Sequence, residues 1–86
     1  MKLNPDFLVH KTKNETIIVP TGNAGFSGVV KGNETFGAIL EFLKKDTTQQ
    51  QIVDAMLEQY DAPRKVIEKD VADTISKLRK IGAIDE

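Results

Sequence analysis

The stretch VVKGNETFGAILEFLKK, residues 29–45, joins a short apolar run to a helical period within a few residues. Its two valines are β-branched and favour a strand, and Gly32 and Asn33 interrupt the run. After that break the apolar residues recur at i, i+3, i+4 and i+7, which is the spacing of one helix face. These residues are Phe36, Ile39, Leu40 and Leu43. The stretch therefore predicts a strand set directly against a helix through a two-residue joint.

Two β-branched runs precede this stretch. Residues 7–12, FLVHKT, and residues 15–19, ETIIV, are separated by Lys13 and Asn14, and asparagine tolerates the positive φ of a tight turn. Pro20 ends the second run because it cannot donate to a ladder. A third run, FSGVVK, covers residues 26–31. Three strands joined by short loops predict an antiparallel meander.

Helix signals follow the strands. Asn33 is a good N-cap, and Thr48 with Gln51 has the spacing of a capping box. A third helix is expected to start near Pro63 and to stop at Gly82. Strands followed by helices indicate an α+β protein. The predicted architecture is winged helix-turn-helix-like, a three-stranded antiparallel sheet followed by three helices.

Composition and charge exclude several classes of function. The 86 residues are expected to form a single domain, 1–86, and 40% hydrophobic content suffices for one core. A formal net charge of −1 gives no overall attraction to nucleic acid or to an anionic membrane. The absence of cysteine excludes disulfides and cysteine-ligated zinc. Without a secretion signal or an apolar run of roughly 20 residues, we expect a cytoplasmic protein.

No side-chain pattern indicates catalysis or a cofactor. His10, the only histidine, lies in a predicted strand without a partner at metal-ligand spacing. Ser27 and Ser76 have no plausible base nearby in the sequence. The glycines between residues 22 and 32 lack the Lys-Ser/Thr pair of a phosphate-binding loop. Gly28 within a strand fits a bulge and fits equally the close approach of another backbone. We therefore expect no enzymatic activity and no cofactor.

The predicted third helix alternates acids and bases. Asp73 and Lys77 lie at i, i+4, and between residues 64 and 80 three acids are interleaved with six basic residues. This pattern is typical of a solvated face with ion pairs, and it also fits a charged rim around a groove. A DNA-recognition helix presents clustered basic residues instead. A winged-helix DNA-binding regulator therefore remains only an alternative, and no nucleic acid partner is expected.

The chain resembles the PqqD-like family over nearly its whole length. GNETFGAILEFL resembles the strand-to-helix junction of that family, L-N-x-T-G-x-x-I-W-x-L-L. The matching residues are Asn33, Thr35, Ile39 and Leu43. LNPDFLVHK, TTQQQIVDAMLEQYDAP and IEKDVADTISKLRKIGAI resemble the start, second helix and third helix of the family. The chain departs from the pattern at Phe36 and Gly37, and it has Leu40 where the family often has tryptophan.

The resemblance implies a RiPP recognition element, a small domain that binds the leader of a ribosomally made precursor peptide. Such a domain hands the peptide to a modifying enzyme, commonly a radical S-adenosylmethionine protein, and the founding members act in pyrroloquinoline quinone (PQQ) synthesis. In the family, the leader adds a strand to the third strand and lies against the third helix. The strand residues expected to bind the peptide are Ser27, Gly28, Val29, Val30 and Lys31. The helix residues expected to do so are Val71, Thr74, Ile75 and Leu78 in the groove wall and Lys77 at its rim.

Several alternatives remain open at this level. Val71 and Ile75 fit the hydrophobic core as well as a groove wall. A structural subunit that fixes the geometry of a larger complex is a further possible function. An exposed edge strand also pairs with its own copy, so both a monomer and an edge-paired homodimer are compatible with the sequence.

Overall fold

Strands come first and helices second along the chain, which confirms the predicted α+β class. The computed structural model describes residues 1–22 and 28–85. The strands are β1 (Lys2–Leu3), β2 (Phe7–Lys11), β3 (Thr16–Pro20), β4 (Val30–Gly32) and β5 (Ile84–Asp85). The helices are α1 (Glu34–Phe42), α2 (Gln49–Gln59) and α3 (Arg64–Lys80). No helix within these two ranges has the length and apolar character needed to cross a membrane.

The main sheet has the order β2-β3-β4, with both pairs antiparallel. It confirms the predicted three-stranded meander. The prediction that the third strand spans residues 26–31 is wrong in its bounds, because β4 begins at Val30 and extends to Gly32. Gly28 has a φ of +118°, a conformation that favours glycine and interrupts an extended strand. Residues 26 and 27 lie outside the described ranges.

Local capping signals fix the helix starts. The Asn33 side chain accepts a hydrogen bond from the Phe36 N–H at 3.0 Å. Thr48 and Gln51 form the predicted capping box, with both bonds at 3.1 Å. Each cap pairs a backbone N–H that would otherwise lack a partner in the first turn. The joint between β4 and α1 is therefore a single capping residue, one shorter than the predicted two-residue joint because Gly32 belongs to β4.

The helices bury their apolar stripes in one core, in which α1 packs on β3 and β4 while α3 packs against α1, α2 and β5. The predicted stripe of α1 is buried along its whole length, and Ile18 supplies the sheet side of the same core. The buried stripe of α3 consists of Ile67, Val71, Ile75 and Leu78. These contacts fix α3 against α1 and α2, so that its flanking residues lie near the end of β4.

A second, two-stranded sheet joins the ends of the chain. β1 pairs antiparallel with β5, with Leu3 opposite Ile84. The Leu3 N–H also donates to the Leu43 carbonyl at 2.9 Å, and the Asn4 N–H donates to the Ala83 carbonyl at 2.7 Å. The small sheet therefore ties both chain ends to the C-terminal end of α1.

Candidate functional site

The hydrogen bonds at the end of the β2–β3 ladder show toward which neighbouring strand each residue directs its N–H and C=O groups. The Thr21 N–H donates to the Asp6 carbonyl at 2.8 Å, one pair beyond the end of the ladder. Hydrogen-bonded and non-hydrogen-bonded pairs alternate along an antiparallel ladder. Odd-numbered residues of β3 therefore bond to β2, while Thr16 and Ile18 direct their backbone groups toward β4.

Lys31 carries the outward-facing backbone groups of β4. The register places Ile18 opposite Val30 and Thr16 opposite Gly32, so these two pairs are the hydrogen-bonded ones. Lys31, which lies between them, directs its N–H and C=O away from β3. Within the part of the chain that the structure describes, no strand lies on that side of β4. β4 is therefore an edge strand with one donor and one acceptor facing outward at its centre.

The two faces of β4 differ in their surroundings. Val30 is half-buried and packs against the core, and a side chain at Gly32 would point at Phe36 on the same face. Lys31 and Val29 lie on the opposite face, where Val29 is 54% exposed. A strand added to β4 would direct alternate side chains toward these two faces. Side chains level with Val30 and Gly32 would point toward α3.

Gly32 permits the close approach of α1 to β4. A Cβ atom at this position would overlap the ring and the Cβ of Phe36, which is 6% exposed. We expect Gly32→Ala to lower the free energy of unfolding by about 1–3 kcal/mol, because the buried ring must move. Urea unfolding of the variant and the wild type measures this difference.

The matched control for this prediction is Gly22→Ala, because a Cβ at Gly22 has no atom of the described structure within 4 Å. We expect its free energy of unfolding to stay within about 0.5 kcal/mol of the wild type. A Gly32→Ala protein as stable as the control would contradict the close packing of Phe36 on β4.

A groove of about 350 Å³ lies between the end of β4 and α3. Its lining consists of Gly32, Asn33, Thr35, Phe36, Asp70, Asp73, Thr74 and Lys77. Two helix residues predicted to contact a peptide, Thr74 and Lys77, therefore face this space. Gly32, the last residue of β4, lines the groove, so a strand added to β4 would end beside it.

The other helix residues predicted for the groove wall lie in the hydrophobic core. Val71 is 0% exposed, Ile75 is 1% exposed and Leu78 is 0% exposed, and none of the three lines the groove. They lie on the buried α3 stripe, one turn apart from each other. A place in the hydrophobic core is the alternative to a groove wall that the sequence left open for Val71 and Ile75. Ser27, the remaining strand residue of the prediction, lies outside the described residues.

Charged side chains of α3 pair differently from the prediction. Lys69 Nζ contacts Asp73 Oδ2 at 2.8 Å, so the predicted pair of Asp73 with Lys77 is wrong. The hydrogen bond that Lys69 donates to Asp73 raises the pKa of Lys69, and the charge of Asp70 adds a smaller contribution. The side chains of Asp70 and Lys77 make no hydrogen bond or ion pair with any residue in ranges 1–22 and 28–85. The sequence left the acids of α3 either on a solvated face or at the charged rim of a groove, and it did not single out Asp70, which lines the groove.

The opposite edge of the sheet, formed by β2, is more protected. The Phe7 N–H donates to the Asn4 carbonyl at 3.0 Å at one end. At the other end the Lys11 ammonium pairs with Glu41 of α1. Hydrogen bonds from Lys11 and then Lys44 lower the pKa of Glu41. Charged side chains and covering segments discourage strand addition, so β4 is the more open edge.

Comparisons with known proteins agree with this geometry. The family model of PqqD, Coenzyme PQQ synthesis protein D, matches residues 15–84 and confirms the resemblance seen in the sequence. A structure of TbiB1 in complex with the TbiA(beta) leader peptide is similar, with a TM-score of 0.76 and 19% identity. That match covers 99% of this chain and 100% of the other.

A second similar structure is lasso peptide synthetase B1 complexed with the leader peptide. Its TM-score is 0.75 at 18% identity, and the match covers 95% of this chain and 93% of that one. At such identities the likeness shows the shared fold. A search of curated proteins found no match.

Proposed function

The chain belongs to the PqqD family, and from this premise we propose that it is a RiPP recognition element. It binds the leader of a ribosomally synthesised precursor peptide by β-strand addition and presents it to a modifying enzyme. The observation that carries this proposal is the outward-facing backbone of Lys31 at an open edge beside the α3 groove. The two structurally similar proteins are complexes with leader peptides, which supports the same class of ligand.

Backbone pairing alone does not account for useful affinity. Lys31 exchanges two hydrogen bonds with an added strand. Val29, the next outward-facing position, adds two more if the pairing extends that far. Four such bonds at roughly 1 kcal/mol net contribute about 4 kcal/mol, whereas micromolar binding requires about 8 kcal/mol. Leader side chains level with Val30 and Gly32 supply the remainder by burying surface in the groove. Backbone pairing therefore provides part of the affinity, and the groove provides the rest together with the specificity.

The proposed role is binding rather than catalysis. His10 is exposed on β2, which is the edge strand opposite to β4 and the groove. Among the residues that the structure describes, the groove lining contains carboxylates, a lysine and neutral polar groups, and no histidine or serine to form a nucleophile–base pair. The chemistry therefore belongs to the partner enzyme, for which the family suggests a radical S-adenosylmethionine protein. Because precursor peptides are made by ribosomes, we place this step in the cytoplasm.

The ion pairs of α3 disfavour the DNA-binding alternative. Lys69 is held by Asp73, and Arg64 contacts both Asp54 and Glu68. DNA affinity depends largely on cations that are available to phosphate groups. Pairing with acids of the same chain leaves Arg64 and Lys69 less available for that contact.

An NMR titration with isotope-labelled protein tests the proposed function. The ligand is the leader of the precursor peptide encoded beside this chain, and a scrambled leader is the control. We expect shifts at Val29, Lys31, Thr74 and Lys77. The Lys31 amide gains protection from hydrogen exchange on binding, whereas the Val30 amide is already bonded to β3 and changes less. Shifts confined to β2, or binding without protection of Lys31, would contradict strand addition at β4.

A further inference from the structure

The groove beside β4 carries opposite charges at two points along α3. Asp70 is half-buried and Lys77 is exposed, and both line the groove. Seven residues separate them, which places them on the same helix face about 10 Å apart along the axis. Thr74 lies between them on that face. The groove therefore presents an anion toward one end and a cation toward the other, and between them lie the Thr74 hydroxyl and Asp73, which is paired with Lys69.

Both charges are available to a ligand. Neither Asp70 nor Lys77 has an ion-pair partner within the described ranges, while the neighbouring Asp73 is held by Lys69. Partial burial of Asp70 reduces the screening of its carboxylate by water, so a cation placed beside it is attracted more strongly than at an open surface. These are the conditions under which a charged pair contributes to specificity.

The geometry of an added strand determines which peptide positions reach the two charges. Residues of the peptide level with Val30 and Gly32 direct their side chains to the groove side, because neighbours across a sheet share a face. These positions are i and i+2, and their Cα atoms lie about 7 Å apart. Gly32 lines the same groove as Asp70 and Lys77, so long side chains such as those of Lys, Arg and Glu extend from these positions toward the two charges.

We propose that the groove selects leader segments with one basic and one acidic side chain two positions apart. The basic side chain pairs with Asp70, and the acidic side chain pairs with Lys77. This inference rests on the proposed strand addition at β4 and adds the substrate class that the site accepts. Because the two charges occupy different ends of the groove, the order of the charges in the peptide also fixes the chain direction in which it binds.

Selection from a displayed library of random short peptides tests this proposal. The library is panned against the wild type and against the double variant Asp70→Lys/Lys77→Asp. We expect wild-type binders to carry opposite charges at i and i+2 in one order, and binders of the variant to carry them in the reverse order. Each peptide should bind its own target about tenfold more tightly than the other, the change expected when attractive pairs become repulsive.

A control variant with the same net charge is Arg64→Glu/Glu68→Arg, which reverses a pair on α3 outside the groove lining. Its selected peptides should match those of the wild type. Thermal unfolding monitored by circular dichroism verifies that each variant is folded before panning. Peptides that protect the Lys31 amide but show no charge order in either selection would overturn the inference and leave the proposed function intact. Failure of every selected peptide to protect Lys31 would overturn both.

Discussion

Lys31→Pro is expected to weaken leader binding about 10- to 100-fold while the protein stays folded. Proline removes the outward N–H of Lys31, and the leader carbonyl that it would have bonded is left without a donor. Leaving one such group unsatisfied costs about 1–3 kcal/mol, which gives the stated change in affinity. Edge strands tolerate proline where the N–H faces away from the ladder. Titration calorimetry with the leader measures the affinity, and urea unfolding measures the stability.

Two further variants separate the backbone effect from other effects of the substitution. Lys31→Ala keeps the N–H and removes only an exposed side chain, so leader affinity should change less than about threefold. Val30→Pro removes an N–H that bonds to Ile18, so it should lower the free energy of unfolding by about 1–3 kcal/mol. If Lys31→Pro bound the leader like the wild type, β4 would not be the docking edge. If Lys31→Pro and Val30→Pro were equally destabilised, the assignment of Val30 as bonded to β3 and of Lys31 as facing outward would be wrong.

Elements whose signals are local were predicted well from the sequence. The cap at Asn33 and the capping box from Thr48 depend on side chains within four residues, and both are present. β1 and β5 were not predicted, because a two-residue strand has no detectable period and is held by contacts with distant residues. Leu3 bonds to Leu43 and pairs with Ile84, partners far away in sequence.

The position of the site was easier to predict than its lining. The strand order that leaves β4 at an edge follows from a meander of three short strands. Periodicity placed Ile75 and Leu78 on one face of α3, but it does not tell which neighbouring element covers that face. Asp73 has a lysine four residues away in both directions, so spacing alone does not decide between Lys69 and Lys77. The packing of α3 against α1 and α2 decides the first question.

Leu78→Ala is expected to lower the free energy of unfolding by about 2–5 kcal/mol. Its side chain is fully buried within the core, and truncation leaves a cavity that the surrounding helices fill only in part. Domains of this size are stable by about 5–15 kcal/mol, so the loss is a large fraction of the total. Urea unfolding measures it, and the leader affinity of the folded fraction should change little because Leu78 does not line the groove.

Thr74→Ala is the matched variant on the same helix, since Thr74 is half-buried and lines the groove. Its free energy of unfolding should change by less than about 1 kcal/mol, because no core contact is removed and alanine favours the helix. Leader affinity should fall, because the truncated side chain no longer contacts the added strand. The reverse pattern, in which Leu78→Ala keeps its stability and loses the leader, would move the binding surface to the buried stripe of α3. Two positions one turn apart thus separate the residues that hold the fold from those that we propose to face the peptide.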